Sequence, residues 1–197
     1  MEVRLTQALG DVKVAADDVA RESARRRLQM ADVPCAPGCS GCCRRLVRLS
    51  VAEAMILYEY LLREGKWEDV RSAARSVDET ARKASPMAWF KMNIPCPVLQ
   101  KDICAAYPVR PPACSAHFVR SSPDACNPWH EGSEEFVPAD QADLVAKFRK
   151  RLEGALEGHG ILRVELPLPT ALLLAERVSL NTGLDVAKAV SILFNET

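Results

Sequence analysis

Apolar positions recur with helical spacing toward both ends of the chain and fall out of step between them. Over residues 2–31, Val3, Leu5, Leu9, Val12, Val14, Ala16, Val19, Ala20, Ala24 and Leu28 repeat among charges with no proline. This predicts one long amphipathic helix, weakest at Gly10 and closed by Pro34. Ser50-Val51-Ala52-Glu53 has the Ser and Glu of a capping box. It opens a predicted helix to about Glu64, with Ala54, Leu57, Leu61 and Leu62 on one side and Gly65 as its stop. Val70, Ala73, Ala74, Val77 and Ala81 predict a second helix over about 67–84, completing an αα-hairpin. Ser85-Pro86 starts a short helix through Met92. Helical period returns over about 139–157. A short strand is expected over 161–166, then a helix capped by Thr170 to about Asn181 and a last one from Asp185 to about Phe194. The pattern reads as mainly α, a helical bundle.

Residues 93–138 break the period. They hold most of the thirteen prolines, four of the eight cysteines and two of the three histidines. About 45 residues of irregular chain inside a compact domain need something to tie them down. Three regions follow: an N-terminal helix (1–34), a cysteine-rich domain (35–138) and a C-terminal helical region (139–197), which could also form one continuous domain.

Composition narrows the function classes. A chain of 197 residues with 48% apolar content can bury a core without disulfides. Lysine plus arginine equals aspartate plus glutamate, at 26 each, and aromatics are 6%. Neither an electrostatic nor a base-stacking signal for nucleic acid is present. Arg25-Arg26-Arg27 reads as the cationic end of a helix. No run approaches the roughly 20 apolar residues of a membrane span. Leu172-Leu173-Leu174 comes nearest, and Glu176 and Arg177 close it. The first residues lack a leader's basic start and apolar run. The expected compartment is the cytoplasm, where thiols stay reduced and cysteine clusters serve metal or redox chemistry more often than disulfides.

The cysteines carry the chemistry. Cys35, Cys39, Cys42 and Cys43 lie within nine residues; Cys96, Cys104, Cys114 and Cys126 follow. Thiolate is the soft ligand preferred by zinc and by iron–sulfur clusters. The Cys39-x2-Cys42 turn lets two sulfurs converge, and Gly38 and Gly41 permit tight backbone there. Arg44, Arg45 and Arg48 offer nearby positive charge. The adjacent pair Cys42-Cys43 is expected to diverge in extended chain, so one of the two would face elsewhere. The early group then supplies part of a centre that the later cysteines complete. Cys39, Cys42, Cys96 and Cys104 are the leading candidates, followed by Cys43 and Cys114, then Cys35. Cys114-x2-His117 and Cys126-x3-His130 also have the spacing of a Cys2His2 site, which makes Cys126 and His117 additional candidates and His130 a weaker one.

Cys35-x3-Cys39-x2-Cys42-Cys43, a Ser-capped helix, and Cys96-Pro97-x-Leu99-x4-Cys104-x2-Tyr107-x2-Arg110-Pro111-x2-Cys114 resemble the YkgJ-like cysteine-cluster family, the zinc- or iron-chelating CxxCxxCC domain. The resemblance covers about residues 35–118. It departs from the family in the x3 first spacing, in Ser115 where an arginine is frequent, and in Cys126, which lies outside the pattern. It implies metal chelation. Some family members join the domain to a methyltransferase, but no Gly-rich cofactor loop is present here. Tyr107 reads as structural support. Arg110, held extended by Pro111, reads as a donor to thiolates or to a carboxylate from behind the ligands.

Three functions remain open at this level. One is a metal-binding protein holding zinc or iron in a structural or metal-handling role. Another is an iron–sulfur redox protein or enzyme accessory. The third is a protein-interaction module clamped by structural zinc, its partner unidentified. No nucleophile–base order, carboxylate pair or phosphate loop marks a catalytic constellation. Glu131, Glu134 and Glu135 read as a solvated acidic turn.

Overall fold

A computed structural model describes residues 2–36, 38–126, 137–139 and 141–180. The expected final helix from Asp185 and the positions of His130, Glu131, Glu134 and Glu135 lie outside these residues. Helix α1 spans Glu2–Leu28, uninterrupted through Gly10. Strand β1 (Arg48–Ser50) leads into α2 (Val51–Arg63). The capping box is formed: the Ser50 hydroxyl accepts from the Glu53 amide, and the Glu53 carboxylate accepts from the Ser50 amide at 2.8 Å. Gly65, at φ +66°, turns the chain into α3 (Trp67–Lys83) in a conformation that favours glycine. Helix α4 (Pro86–Met92) follows, with the Ser85 hydroxyl accepting from the Ala88 amide.

The cysteine-rich stretch resolves into very short pieces. Strands β2 (Leu99–Gln100) and β3 (Ile103–Cys104) pair antiparallel, and a 3-10 turn covers Tyr107–Val109. Helix α5 (Pro112–Ser115) is a single turn. Strand β4 (Phe118–Val119) pairs antiparallel with β5 (Pro138–Ala139), on either side of a 3-10 turn at Pro123–Cys126. This pairing takes Pro138 and Ala139, so α6 begins at Ala142 and runs to Gly158. Strand β6 (Glu165–Pro167) lies later than the expected 161–166 strand because its register partner is β1. Helix α7 covers Leu168–Leu180. Thr170 sits inside its first turn rather than capping it, and its buried hydroxyl donates to Asp78 on α3.

Among the described residues the molecule is mainly helical, and two apolar clusters hold it. Leu57, Leu61, Val70, Leu172 and Leu174 belong to the first, which α2, α3 and α7 share. Val12, Ala15 and Val19 meet Leu144, Phe148 and Leu152 in the second, between α1 and α6. Both follow the helical spacing of the sequence. Cys96 and Cys104 pack against the rim of the first cluster, so the cysteine stretch is laid on a finished apolar surface.

Candidate metal centre

The early cysteine group is a helical turn rather than extended chain. Gly41–Arg44 forms a 3-10 turn, which brings the neighbouring Cys42 and Cys43 side chains together instead of splaying them. The Cys43 thiol donates to the Cys42 sulfur. Glycine at 41 is dictated by the approach of the later segment: a Cβ there would lie 2.9 Å from the Cys126 Cβ and 3.0 Å from the Pro123 carbonyl oxygen.

Main-chain bonds join the two cysteine groups. The Cys96 amide donates to the Cys43 carbonyl at 2.7 Å. Arg44 donates to the Asn93 carbonyl at 2.9 Å, and Asn93 closes α4 in the left-handed region. The β2–β3 hairpin turns at Lys101 and Asp102, both with positive φ, and carries Cys104 back toward Cys96. Ser40 donates to the Asp102 carboxylate at 3.4 Å. On the other side, Arg27 of α1 donates to the Cys35 carbonyl, and the Val119 amide donates to the Cys35 sulfur at 3.4 Å.

The sulfurs line two adjoining spaces. Cys39, Cys42, Cys43, Cys96, Cys104 and Cys114 line an inner cavity of about 60 Å³. Cys35, Cys39, Cys42 and Cys126 line an outer cleft of about 340 Å³ that also borders the last turns of α1. Cys39, Cys42, Tyr107 and Arg110 border both. None of the eight cysteines is in a disulfide. His117 lies on the outer cleft alone, and Cys35 and Cys126 likewise stand apart from the inner cavity.

Electrostatics separates the sulfurs. The hydrogen bond from Cys43 is the main cause that lowers the Cys42 pKa, helped by Arg110 and Arg45 and opposed by burial. The same bond, with burial, raises Cys43 far above its ordinary value. Burial raises Cys35, Cys104 and Cys114, and pushes Cys96 and Cys126 to about 12. Within the pair, the proton therefore stays on Cys43 and the thiolate is favoured at Cys42. Burial and then Arg45 lower His117 to about 4, which keeps its imidazole neutral at pH 7. Arg45 lies 3.4 Å from the His117 Nε2.

Arg110 is the cation of the inner wall. Its guanidinium lies 3.8 Å from the Tyr107 ring centroid, a cation–π contact that fixes its plane. Its charge helps to lower the pKa of Cys42 and opposes the rise that burial imposes on Cys104 and Cys114. Its Nε is buried and has no hydrogen-bond partner among the described residues. A buried N–H of this kind calls for an acceptor, and the acceptors this wall offers are cysteine sulfurs and the Asp102 carboxylate. The donor set and the orphaned Nε fit a soft metal. Among the described residues no three or more Cys, His, Asp or Glu side chains converge tightly enough to hold an ion as they stand.

Of the arginines that follow the early cysteines, Arg45 alone borders these spaces. Arg44 serves Asn93, and Arg48 donates to the Glu165 carbonyl beside β6. No local pattern marks Arg27 and Asp102 as bordering these spaces. Their positions depend on how α1 ends against Cys35 and on the β2–β3 turn, neither of which has a local signature.

The model of the CxxCxxCC family, described as "Putative zinc- or iron-chelating domain", matches residues 34–136. No curated protein and no solved structure matches the chain. The matched stretch is just over half of the chain and contains all eight cysteines and both sides of the inner cavity. The chain belongs to the CxxCxxCC family of zinc- or iron-chelating domains.

Proposed function

We propose that the chain binds zinc or iron through thiolates gathered at the inner cavity, in a structural or metal-handling role. The observation that carries this reading is the convergence of six cysteines from two separate segments on one small cavity, beside a buried Arg110 Nε that lacks an acceptor. Cys39, Cys42, Cys96 and Cys104 are the first ligands, with Cys43 and Cys114 next. Closing thiolates onto a metal replaces the Cys43–Cys42 hydrogen bond and gives Arg110 its acceptor. Tyr107 holds the plane of Arg110.

The number of sulfurs favours a second reading, an iron–sulfur cluster. Six exceed the four that complete a tetrahedral zinc site. A bound cluster would supply one-electron chemistry, and Arg110 would donate to its sulfurs.

Elemental analysis and absorbance on protein purified without oxygen test both. Iron with absorbance near about 400 nm supports the cluster; zinc without colour supports the mononuclear site. Cys42→Ser and Cys96→Ser are each expected to lose bound metal. Full metal content in both variants would overturn the assignment.

A further inference from the structure

A single ion on Cys39, Cys42, Cys96 and Cys104 leaves Cys35 and Cys126 without a role, since both line the outer cleft and not the inner cavity. Each is nevertheless fixed in place. The Val119 amide donates to the Cys35 sulfur at 3.4 Å. Backbone amides do the same at the inner cavity, those of Val98 and Leu99 for Cys96 and that of Ala106 for Cys104. An amide donor favours thiolate over thiol. Cys35 is therefore prepared for ligation as Cys96 and Cys104 are.

Cys126 is buried and seated on the Cys39–Cys42 turn. A Cβ at Gly41 would lie 2.9 Å from the Cys126 Cβ and 3.8 Å from its Sγ. The other sulfurs of the cleft are those of Cys39 and Cys42, which border both spaces. All three, Cys35, Cys39 and Cys42, are close enough to act on the Cys126 thiol by charge. No aspartate or glutamate stands in the cleft wall among the described residues. Arg27 beside Cys35 and Arg45 beside Cys126 favour ionised sulfur. His117 borders the cleft too, but Arg45 lies 3.4 Å from its Nε2, so the sulfurs are the better placed ligands. Two tetrahedral ions need eight ligand positions, and six thiolates fill them when two are shared.

We propose that the outer cleft holds a second divalent metal ion, bound by Cys35 and Cys126 and bridged through Cys39 and Cys42 to the ion on Cys96 and Cys104. The inference rests on chelation at the inner cavity and adds a site to it. The second ion draws in sulfurs that, among the described residues, do not converge as they stand.

Elemental analysis of the full chain, produced with zinc supplied, purified without oxygen and passed over a chelating resin, tests this. Two zinc ions per chain are expected in the wild type, and one in Cys126→Ala and in Cys35→Ala. Either variant serves if the other does not fold. Cobalt(II) in place of zinc reports the bridge: two ions coupled through shared thiolates should give a weaker paramagnetic resonance signal per ion than the single ion of the variants. One zinc in the wild type, or two in the folded variants, would overturn the second site and leave chelation at the inner cavity standing. Loss of both ions from a folded variant, or a wild-type cobalt signal of full strength per ion, would overturn the division into two bridged sites. Iron with no zinc would overturn the second zinc site alone, whereas a wild type with no metal at all would overturn the chelation reading with it.

Discussion

Helices α2, α3 and α7 and the cysteine stretch 96–126 lie against each other but are held by different means. The helices bury long apolar rows: Leu61, Val70, Leu172 and Leu174 are almost wholly enclosed. Each row repeats at helical spacing, so every turn adds burial at about 25 cal/mol per Å² of apolar surface. The cysteine stretch has two-residue strands, a four-residue helix and 3-10 turns. Elements that short cannot sustain themselves. Its anchors are separate bonds, such as Cys96 to Cys43 and Ala105 to Val98, and the packing of Cys96 and Cys104 onto the helical core. The helices would survive loss of any one tie. The cysteine stretch is arranged so that a metal would replace many ties at once.

Metal removal therefore has the largest expected effect and the sharpest spatial pattern. In the chelated protein, or in Cys42→Ser, amide exchange should accelerate by several orders of magnitude at Cys96, Leu99, Ala105 and Cys114. Metal binding at thiolate sites is worth on the order of 10 kcal/mol. Amides of α2, α3 and α7 should keep their protection. Equal loss in both regions would erase the distinction between them.

Leu172→Ala probes the other side. Leu172 is 0% exposed, and its truncation should cost about 2–5 kcal/mol. Urea unfolding monitored at Trp67 and Trp89 reads the change. Metal content of the folded variant should stay at the wild-type level, because the lost contacts belong to the helices. A Leu172→Ala protein that releases metal while still folded would show the two regions to be one cooperative unit.

The same division explains what the sequence made legible. Helices α1 to α4 are where periodicity and capping residues put them, within a few residues, because their signals are local: Ser50 with Glu53, Gly65, and Ser85 with Pro86. Thr170 does not cap α7 because its hydroxyl serves Asp78 across the core, a contact no local pattern reveals. Within 93–138 the cysteine types and the Arg110-Pro111 pair were legible as chemistry, while the pieces carrying them were not. The β2–β3 turn uses Lys101 and Asp102 at positive φ, where Asn-Gly would be the usual signal. Cys42 and Cys43 would diverge in extended chain; the 3-10 turn brings them together. The grouping of sulfurs into an inner cavity and an outer cleft depends on long-range packing, such as Cys126 against Gly41.

A smaller effect should come from the capping box at the junction of β1 and α2. Ser50 and Glu53 are both buried, and Glu53 accepts from the Ser50 amide and hydroxyl at 2.8 Å. Ser50→Ala should cost about 1 kcal/mol. Burial is the main cause that raises the Glu53 pKa above its ordinary 4.5. The folded state thus holds this proton more tightly than the unfolded chain, and its contribution to stability is lost as pH rises from 4.5 through the folded value. Glu53→Gln should remove that decline from urea midpoints measured between pH 4 and 7. A wild-type curve with no such decline would place Glu53 among the ordinary carboxylates.

The smallest effect is expected where α1 meets α6. Arg26 forks onto Asp143 at 2.7 and 2.8 Å and also reaches Glu22 at 3.0 Å. The Arg26 hydrogen bond to Asp143, and those of Arg25 and Arg26 to Glu22, hold both carboxyls at about 2. Their contribution is present at neutral pH and is lost as pH falls from about 4 toward 2. These groups are in contact with solvent, so water and salt screen the pairing. Beneath them Val12, Ala15 and Val19 already bury against Leu144, Phe148 and Leu152. The ion pair then selects the docking angle of two helices whose cohesion is apolar. Arg26→Gln should lower the melting temperature by less than Ser50→Ala does, and the difference from wild type should vanish in 1 M salt, where screening acts within about 3 Å. A loss as large as that of Leu172→Ala, persisting in salt, would mean that α1 is held by charge rather than by its apolar stripe, and the contrast between periodic helices and point-tied segments would have to be redrawn with α1 on the other side.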